Sequence, residues 1–212
     1  MSITRFVISE GTDSIPEIVS PPRVGAIVKR LGNRPIVLIG MMGAGKSSIG
    51  KRLAVRLGLP FADADAEIER AANATIDEIF DKHGEAYFRS GERRVILRLI
   101  GEGASVLATG GGAYMDADTR AAINTTGIPV WLKAEPEVLL ARVRRRSNRP
   151  LLRGPDPEAI VRKLVDERYP VYAEAQIHVM SREVAHETVV DELLVALDTY
   201  LEGQAARTGA GG

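Results

Sequence analysis

Between Pro35 and Leu201 the chain alternates short apolar runs with longer segments whose apolar positions recur every three or four residues. The first run, Pro35-Ile36-Val37-Leu38-Ile39, has no polar face and is bounded by proline and glycine, the pattern of a strand covered on both sides. A glycine-rich stretch follows. Then comes Ser47–Leu57, where Ile49, Leu53 and Leu57 fall one helical turn apart before Gly58 stops the pattern. Further strands are predicted at Phe61–Ala62, Ser105–Thr109, Pro129–Leu132 and Gln176–Val179. Helices are predicted at Glu67–Ala72, Thr75–Lys82, Glu85–Ile100, Asp116–Asn124, Pro136–Arg145, Pro157–Tyr169 and His186–Leu201. Thr75 and Glu78 have capping-box spacing. Strands alternating with helices predict right-handed βαβ units, hence a three-layer α/β/α sandwich around a mostly five-stranded parallel sheet.

The ends break this rhythm. Residues 1–34 carry scattered Ser, Pro and Gly and read as an N-terminal extension, with a short helix over Val24–Leu31. Residues 202–212 are rich in Gly and Ala without an apolar anchor, which predicts a flexible tail. The folded unit is therefore expected over residues 35–201.

Composition narrows the partners. Lys plus Arg and Asp plus Glu both total 28, so no whole-protein charge draws the chain to nucleic acid or an anionic membrane. The absence of cysteine excludes disulfides, Cys-ligated zinc and thiol catalysis. No apolar run approaches the roughly 18–20 residues that span a bilayer, and the first residues lack the apolar core of a secretory signal. The expectation is a monomeric cytoplasmic enzyme acting on small molecules, with no nucleic-acid or membrane partner.

Gly40-Met41-Met42-Gly43-Ala44-Gly45-Lys46-Ser47 matches the phosphate-binding P-loop completely, between a buried strand and a helix as its mechanism requires. Glycines let backbone N–H groups turn toward phosphates, and the helix start adds its positive end. Lys46 is expected to reach the β- and γ-phosphates, Ser47 to ligate Mg²⁺, and Ser48 to add a phosphate contact. The motif implies ATP as co-substrate but leaves the acceptor open.

Three other clusters bear on the acceptor. Asp63 and Asp65 follow the second strand, and alternate residues of an extended segment share a face. One carboxylate can support Mg²⁺ while the other takes a hydroxyl proton; alternatively, Asp65 caps the next helix. Gly110-Gly111-Gly112 follows another strand and reads either as exposed backbone for a ligand or as a flexible turn. Arg142, Arg144, Arg145, Arg146, Arg149 and Arg153 crowd a helix end and loop, either as a solvated face or as a mobile lid over about residues 144–157 that closes on ATP. Arg89 and Arg168 stand apart on separate helices, and spacing alone singles out neither.

Taken in order, GMMGAGKSSIG, DAD, the stretch from Ile76 through Gly84-Glu85 to Phe88-Arg89, TGGGA, RPLL and ERYPVY resemble the shikimate kinases over roughly Ile36 to Leu201. The resemblance implies a P-loop kinase fold that transfers the ATP γ-phosphate to the 3-hydroxyl of shikimate, on the route to chorismate and the aromatic amino acids. It implies that Gly43, Ala44, Gly45, Lys46, Ser47 and Ser48 hold ATP, with Arg142 near the adenine and Arg149 as the lid arginine over the transferred phosphate. It further implies Ser47 and Asp63 at Mg²⁺, and Asp65 as shikimate ligand and base. Arg89, Arg168 and Gly110, Gly111 and Gly112 complete the acceptor site. Lys46, Asp65 and Arg149 are then the catalytic set. Ala64 and Ser48 depart from the Ser or Thr and the Thr usual at those places. A gluconate kinase would share Lys46 and Ser47 without calling for the whole set, and a nucleotide-binding regulatory module would have no need of Asp65 or the lid arginine.

Overall fold

The computed structural model describes residues 6–7, 19–144 and 156–209. Its elements are β1 (Phe6–Val7), α1 (Pro21–Leu31), β2 (Ile36–Ile39), α2 (Lys46–Leu57), β3 (Phe61–Asp63), α3 (Ala64–Ala72) and α4 (Ile76–Gly101). They continue with β4 (Val106–Ala108), a 3₁₀ turn (Ala113–Met115), α5 (Ala117–Thr126), β5 (Ile128–Lys133), α6 (Pro136–Arg144), α7 (Pro157–Tyr172), β6 (Ile177–Met180) and α8 (His186–Gly209). Among the described residues all strands lie in one parallel sheet, ordered β1-β6-β5-β2-β4-β3.

Five of those strands are the expected parallel sheet. The sixth comes from the extension, whose Phe6 and Val7 pair in register with Ile177 and His178. Every residue of β2 is buried, as a central strand with helices on both faces demands. The core joins Ile36–Ile39 to Val106, Leu107, Val130 and Leu132 of the neighbouring strands, to Leu53 of α2, and to Leu193, Leu194 and Leu197 of α8. A smaller cluster of Ile68, Ile79 and Phe88 packs α3 against α4.

Capping follows the local sequence. Thr75 and Glu78 form the reciprocal capping box at the start of α4. Gly58 ends α2 in the left-handed conformation. Gly84, with φ 78° and ψ 175°, breaks α4 between the two helices predicted there.

Two expectations are corrected. Asp63, not Asp65, caps α3, accepting from the Asp65 backbone N–H at 3.1 Å, because α3 begins at Ala64 and leaves Asp65 inside its first turn. The segment expected as a loose tail from residue 202 is helical to Gly209. Its anchors are polar and distant in sequence: Arg30 pairs with Glu202 at 3.1 Å, and Arg34 donates to Gln204 at 2.6 Å. The same helix buries Asp198, 1% exposed, against Arg23 and Arg30 of α1. Among the described residues no helix is long and apolar enough to cross a membrane.

Candidate active site

The strand order sets the site. Strands β2, β4 and β3 are neighbours, with Leu38, Ala108 and Asp63 level across them. The loops leaving their carboxyl ends, which carry the P-loop, the glycine triplet and the aspartates, therefore share one edge. This is where open parallel sheets bind ligands.

Helix α2 starts at Lys46, immediately behind the loop. Gly40, Gly43 and Gly45 have φ of 139°, 81° and 89°, values that side chains rarely allow. A Cβ on Gly40 would also stand 2.7 Å from the Leu132 carbonyl oxygen. Lys46 Nζ donates to the carbonyls of Gly40 and Met41 at 2.8 and 3.0 Å, which holds its charge at the mouth of the loop. Arg142 of α6 donates to the Gly43 carbonyl at 3.2 Å, to Ser181 at 2.8 Å and to the Arg182 carbonyl at 2.7 Å.

Ser47 Oγ donates to Asp63 at 2.6 Å. A hydroxyl and a carboxylate in contact are hard oxygen donors, the type that suits Mg²⁺. Among the described residues no group of three metal-ligating side chains occurs, so such an ion would take further oxygens from phosphate and water, as Mg²⁺ commonly does.

Beside this pair lies a cavity of about 290 Å³ whose lining includes Asp65, Arg89, Glu92, Arg168 and all three glycines. Each glycine is matched to a side chain that a Cβ would displace. On Gly110 it would come within 2.5 Å of Glu92 Oε1 and 2.9 Å of Asp65 Oδ1; on Gly111, 3.1 Å from Arg168 Nη1; on Gly112, 2.5 Å from Arg89 Nη1. The triplet lets backbone approach all four charged groups at once.

Sequence reasoning missed Glu92. It stands three residues after Arg89 on α4 and accepts from Nη1 at 2.6 Å, while Glu85 accepts from the same guanidinium at 3.2 Å. Glu92 is only 2% exposed, and its Oε1 has no hydrogen-bond partner among the described residues. Burial pushes its carboxyl above the ordinary value against the pull of Arg89, and nearby Asp65 adds to the rise. Burial works against the Arg89 charge in turn, but Glu92 and Glu85 more than offset it, and the guanidinium titrates above its usual range. The only signal in the sequence was the three-residue spacing, which many surface pairs share.

Arg168 reaches the cavity from α7, buried to 8% exposure. Arg149 and residues 145–155 of the expected lid lie outside the described residues. Of the other expected site residues, Lys46, Ser47, Asp63, Asp65, Arg89, Arg168 and the glycines are gathered on one edge, and Arg142 donates to the P-loop carbonyl of Gly43.

Comparison with known proteins agrees with this geometry. The shikimate kinase family model matches residues 42–198. The chain is 58% identical over 180 residues to the shikimate kinase of Rhodopseudomonas palustris, covering 85% of this chain and 89% of the relative. It is 54% identical to that of Brucella canis, covering 84% and 90%. The solved shikimate kinase from Acinetobacter baumannii in complex with shikimate superposes with a TM-score of 0.76 at 40% identity, over 81% of this chain and 94% of that one. With a complete P-loop, an acidic pair beside it and a matching fold and sequence over most of its length, the chain belongs to the shikimate kinase family.

Proposed function

We infer that this ATP-dependent kinase transfers the γ-phosphate of ATP to the 3-hydroxyl of shikimate, giving shikimate 3-phosphate and ADP. The observation that carries the reading is the cavity in which Asp65, Arg89, Arg168 and Gly110–Gly112 meet beside the P-loop. Shikimate carries one carboxylate and three hydroxyls. Two guanidiniums suit the carboxylate through paired hydrogen bonds, and a carboxylate suits neighbouring hydroxyls.

In this reading Asp65 accepts the proton of the attacking hydroxyl as its oxygen bonds to the γ-phosphorus and the bond to the bridging oxygen breaks. Lys46, Ser48 and the loop's backbone N–H groups hold the phosphates, and Lys46 balances the charge that grows on them. Arg142 flanks the nucleotide, and Arg149 acts from the lid on the transferred group. Ser47 and Asp63 would hold Mg²⁺, which when bound neutralises phosphate oxygens and orients them. The evenly balanced charge of the chain supports a small acceptor over a nucleic-acid or membrane partner.

The test is ADP release measured with shikimate, gluconate and nucleoside monophosphates in parallel. Turnover with shikimate alone is expected. Turnover with gluconate and none with shikimate overturns the assignment.

A further inference from the structure

Tyr172 closes α7 and is fully buried. It lies four residues beyond Arg168, on the same helical face. Its hydroxyl donates to the Gly111 carbonyl, and the Arg168 guanidinium lies against the same glycine, with Nη1 3.1 Å from where a Cβ on Gly111 would stand. The hydroxyl thus ties down the glycine backbone on which the guanidinium rests. The ring needs no hydroxyl to pack, standing 6.0 Å from Trp131 and 6.3 Å from Tyr169 between centroids. Phenylalanine would fill that space equally well, so the polar atom calls for another explanation. Burial pushes the phenol above its ordinary value, which keeps it a protonated donor at neutral pH.

The neighbouring Tyr169 supplies an internal comparison. It too is a largely buried tyrosine of α7, but its hydroxyl donates to the Ala134 carbonyl, away from the triplet. Two phenols on one helix therefore differ chiefly in which backbone they tie down.

We propose that Tyr172 is a positioning residue for the acceptor: its hydroxyl fixes the Gly111 backbone against the Arg168 guanidinium, so that the carboxylate-binding arginine and the triplet keep one register. The proposal rests on the reading of Arg168 as a shikimate ligand. Tyr172 itself touches no reacting atom. The chief loss on removing its hydroxyl falls on acceptor binding, while nucleotide binding is spared.

The experiment compares Tyr172→Phe, Tyr169→Phe, Arg168→Lys and the double variant Tyr172→Phe/Arg168→Lys in steady-state kinetics, with thermal melting and near-ultraviolet dichroism to verify packing. Tyr172→Phe should raise KM for shikimate up to about tenfold and change KM for ATP less than about twofold, as expected for one lost hydrogen bond in a buried site. Tyr169→Phe should melt at a similar temperature yet leave KM for shikimate unchanged. Arg168→Lys should raise KM for shikimate about a hundredfold, with the double variant little worse, since the hydroxyl acts through the arginine. Equal losses for both substrates in Tyr172→Phe, or the same shikimate defect in Tyr169→Phe, would overturn the proposal. So would additive losses in the double variant. If Arg168→Lys binds shikimate normally, the underlying reading of Arg168 fails instead, and the two failures are told apart.

Discussion

Glu92 accepts a 2.6 Å hydrogen bond from Arg89 one helical turn earlier, and it does so almost wholly out of water. A buried carboxylate beside a partly exposed guanidinium fixes the aim of the arginine, while its own second oxygen looks across at Gly110. Glu92→Gln keeps the shape and removes the charge. It should raise KM for shikimate about tenfold with KM for ATP little changed and, because burial outweighs the pull of Arg89 on this carboxyl, should leave folding stability no lower. Kinetics and denaturant melts read both. Unaltered acceptor affinity would mean that Arg89 is aimed by its helix alone.

Asp65 lies inside the first turn of α3 and leaves the capping to Asp63, so its side chain can be changed without unmaking the helix end. Asp65→Asn should lower kcat by about 10²–10⁴-fold, the usual worth of a general base. Equilibrium binding of ATP, followed by calorimetry, should stay close to that of the parent enzyme. Near-normal turnover in this variant would remove Asp65 from the base role.

Asp63 combines two duties: it caps α3 and accepts from the Ser47 hydroxyl at 2.6 Å. Asparagine caps helices about as well as aspartate, so Asp63→Asn isolates the second duty. The Mg²⁺ concentration for half-maximal activity at fixed ATP should rise about 10–100-fold, the range seen when a metal's supporting carboxylate is lost. An unchanged Mg²⁺ dependence would count against the pair as a metal site.

Asp116 caps α5, and hydrogen bonds from the backbone N–H and hydroxyl of Thr119, with help from Arg93, hold its carboxyl below the ordinary value. A carboxyl depressed on folding stabilises fully above its unfolded value and loses that contribution as pH falls through the folded one. Asp116→Ala should cost about 1 kcal/mol near neutral pH. The gap in melting temperature should hold steady from about pH 5 to 8 and narrow below about pH 4. A gap independent of pH would assign the loss to helix propensity rather than to charge.

Most of the framework was legible because it rests on short-range rules. The β2 run, the P-loop and the Thr75–Glu78 box each declare themselves within a few neighbouring residues. The site was legible only in part. Arg89 and Arg168 were found through resemblance, since nothing local separates them from surface arginines. Glu92 and Tyr172 escaped notice because their meaning comes from burial against a glycine loop distant in sequence. The helical course of Glu202–Gly209 was missed for the same reason: its anchors, Arg30 and Arg34, lie near the other end of the chain. Local propensity weighs alanine and glycine but cannot register such partners.

The clasp of Arg23 and Arg30 on Asp198 also bears on how the molecule is born. These contacts span 175 and 168 residues, so α1 emerges from the ribosome long before the helix that receives it. Until then Ile27 and Leu31, buried in the finished protein, lack the larger part of the surface they pack on, with α2 but not yet α8 beside them. Contacts this remote form only after the chain between them has been confined. The docking of α1 on α8 therefore comes late, and a nascent chain stalled short of Asp198 carries a half-covered amphipathic helix that a chaperone can grasp.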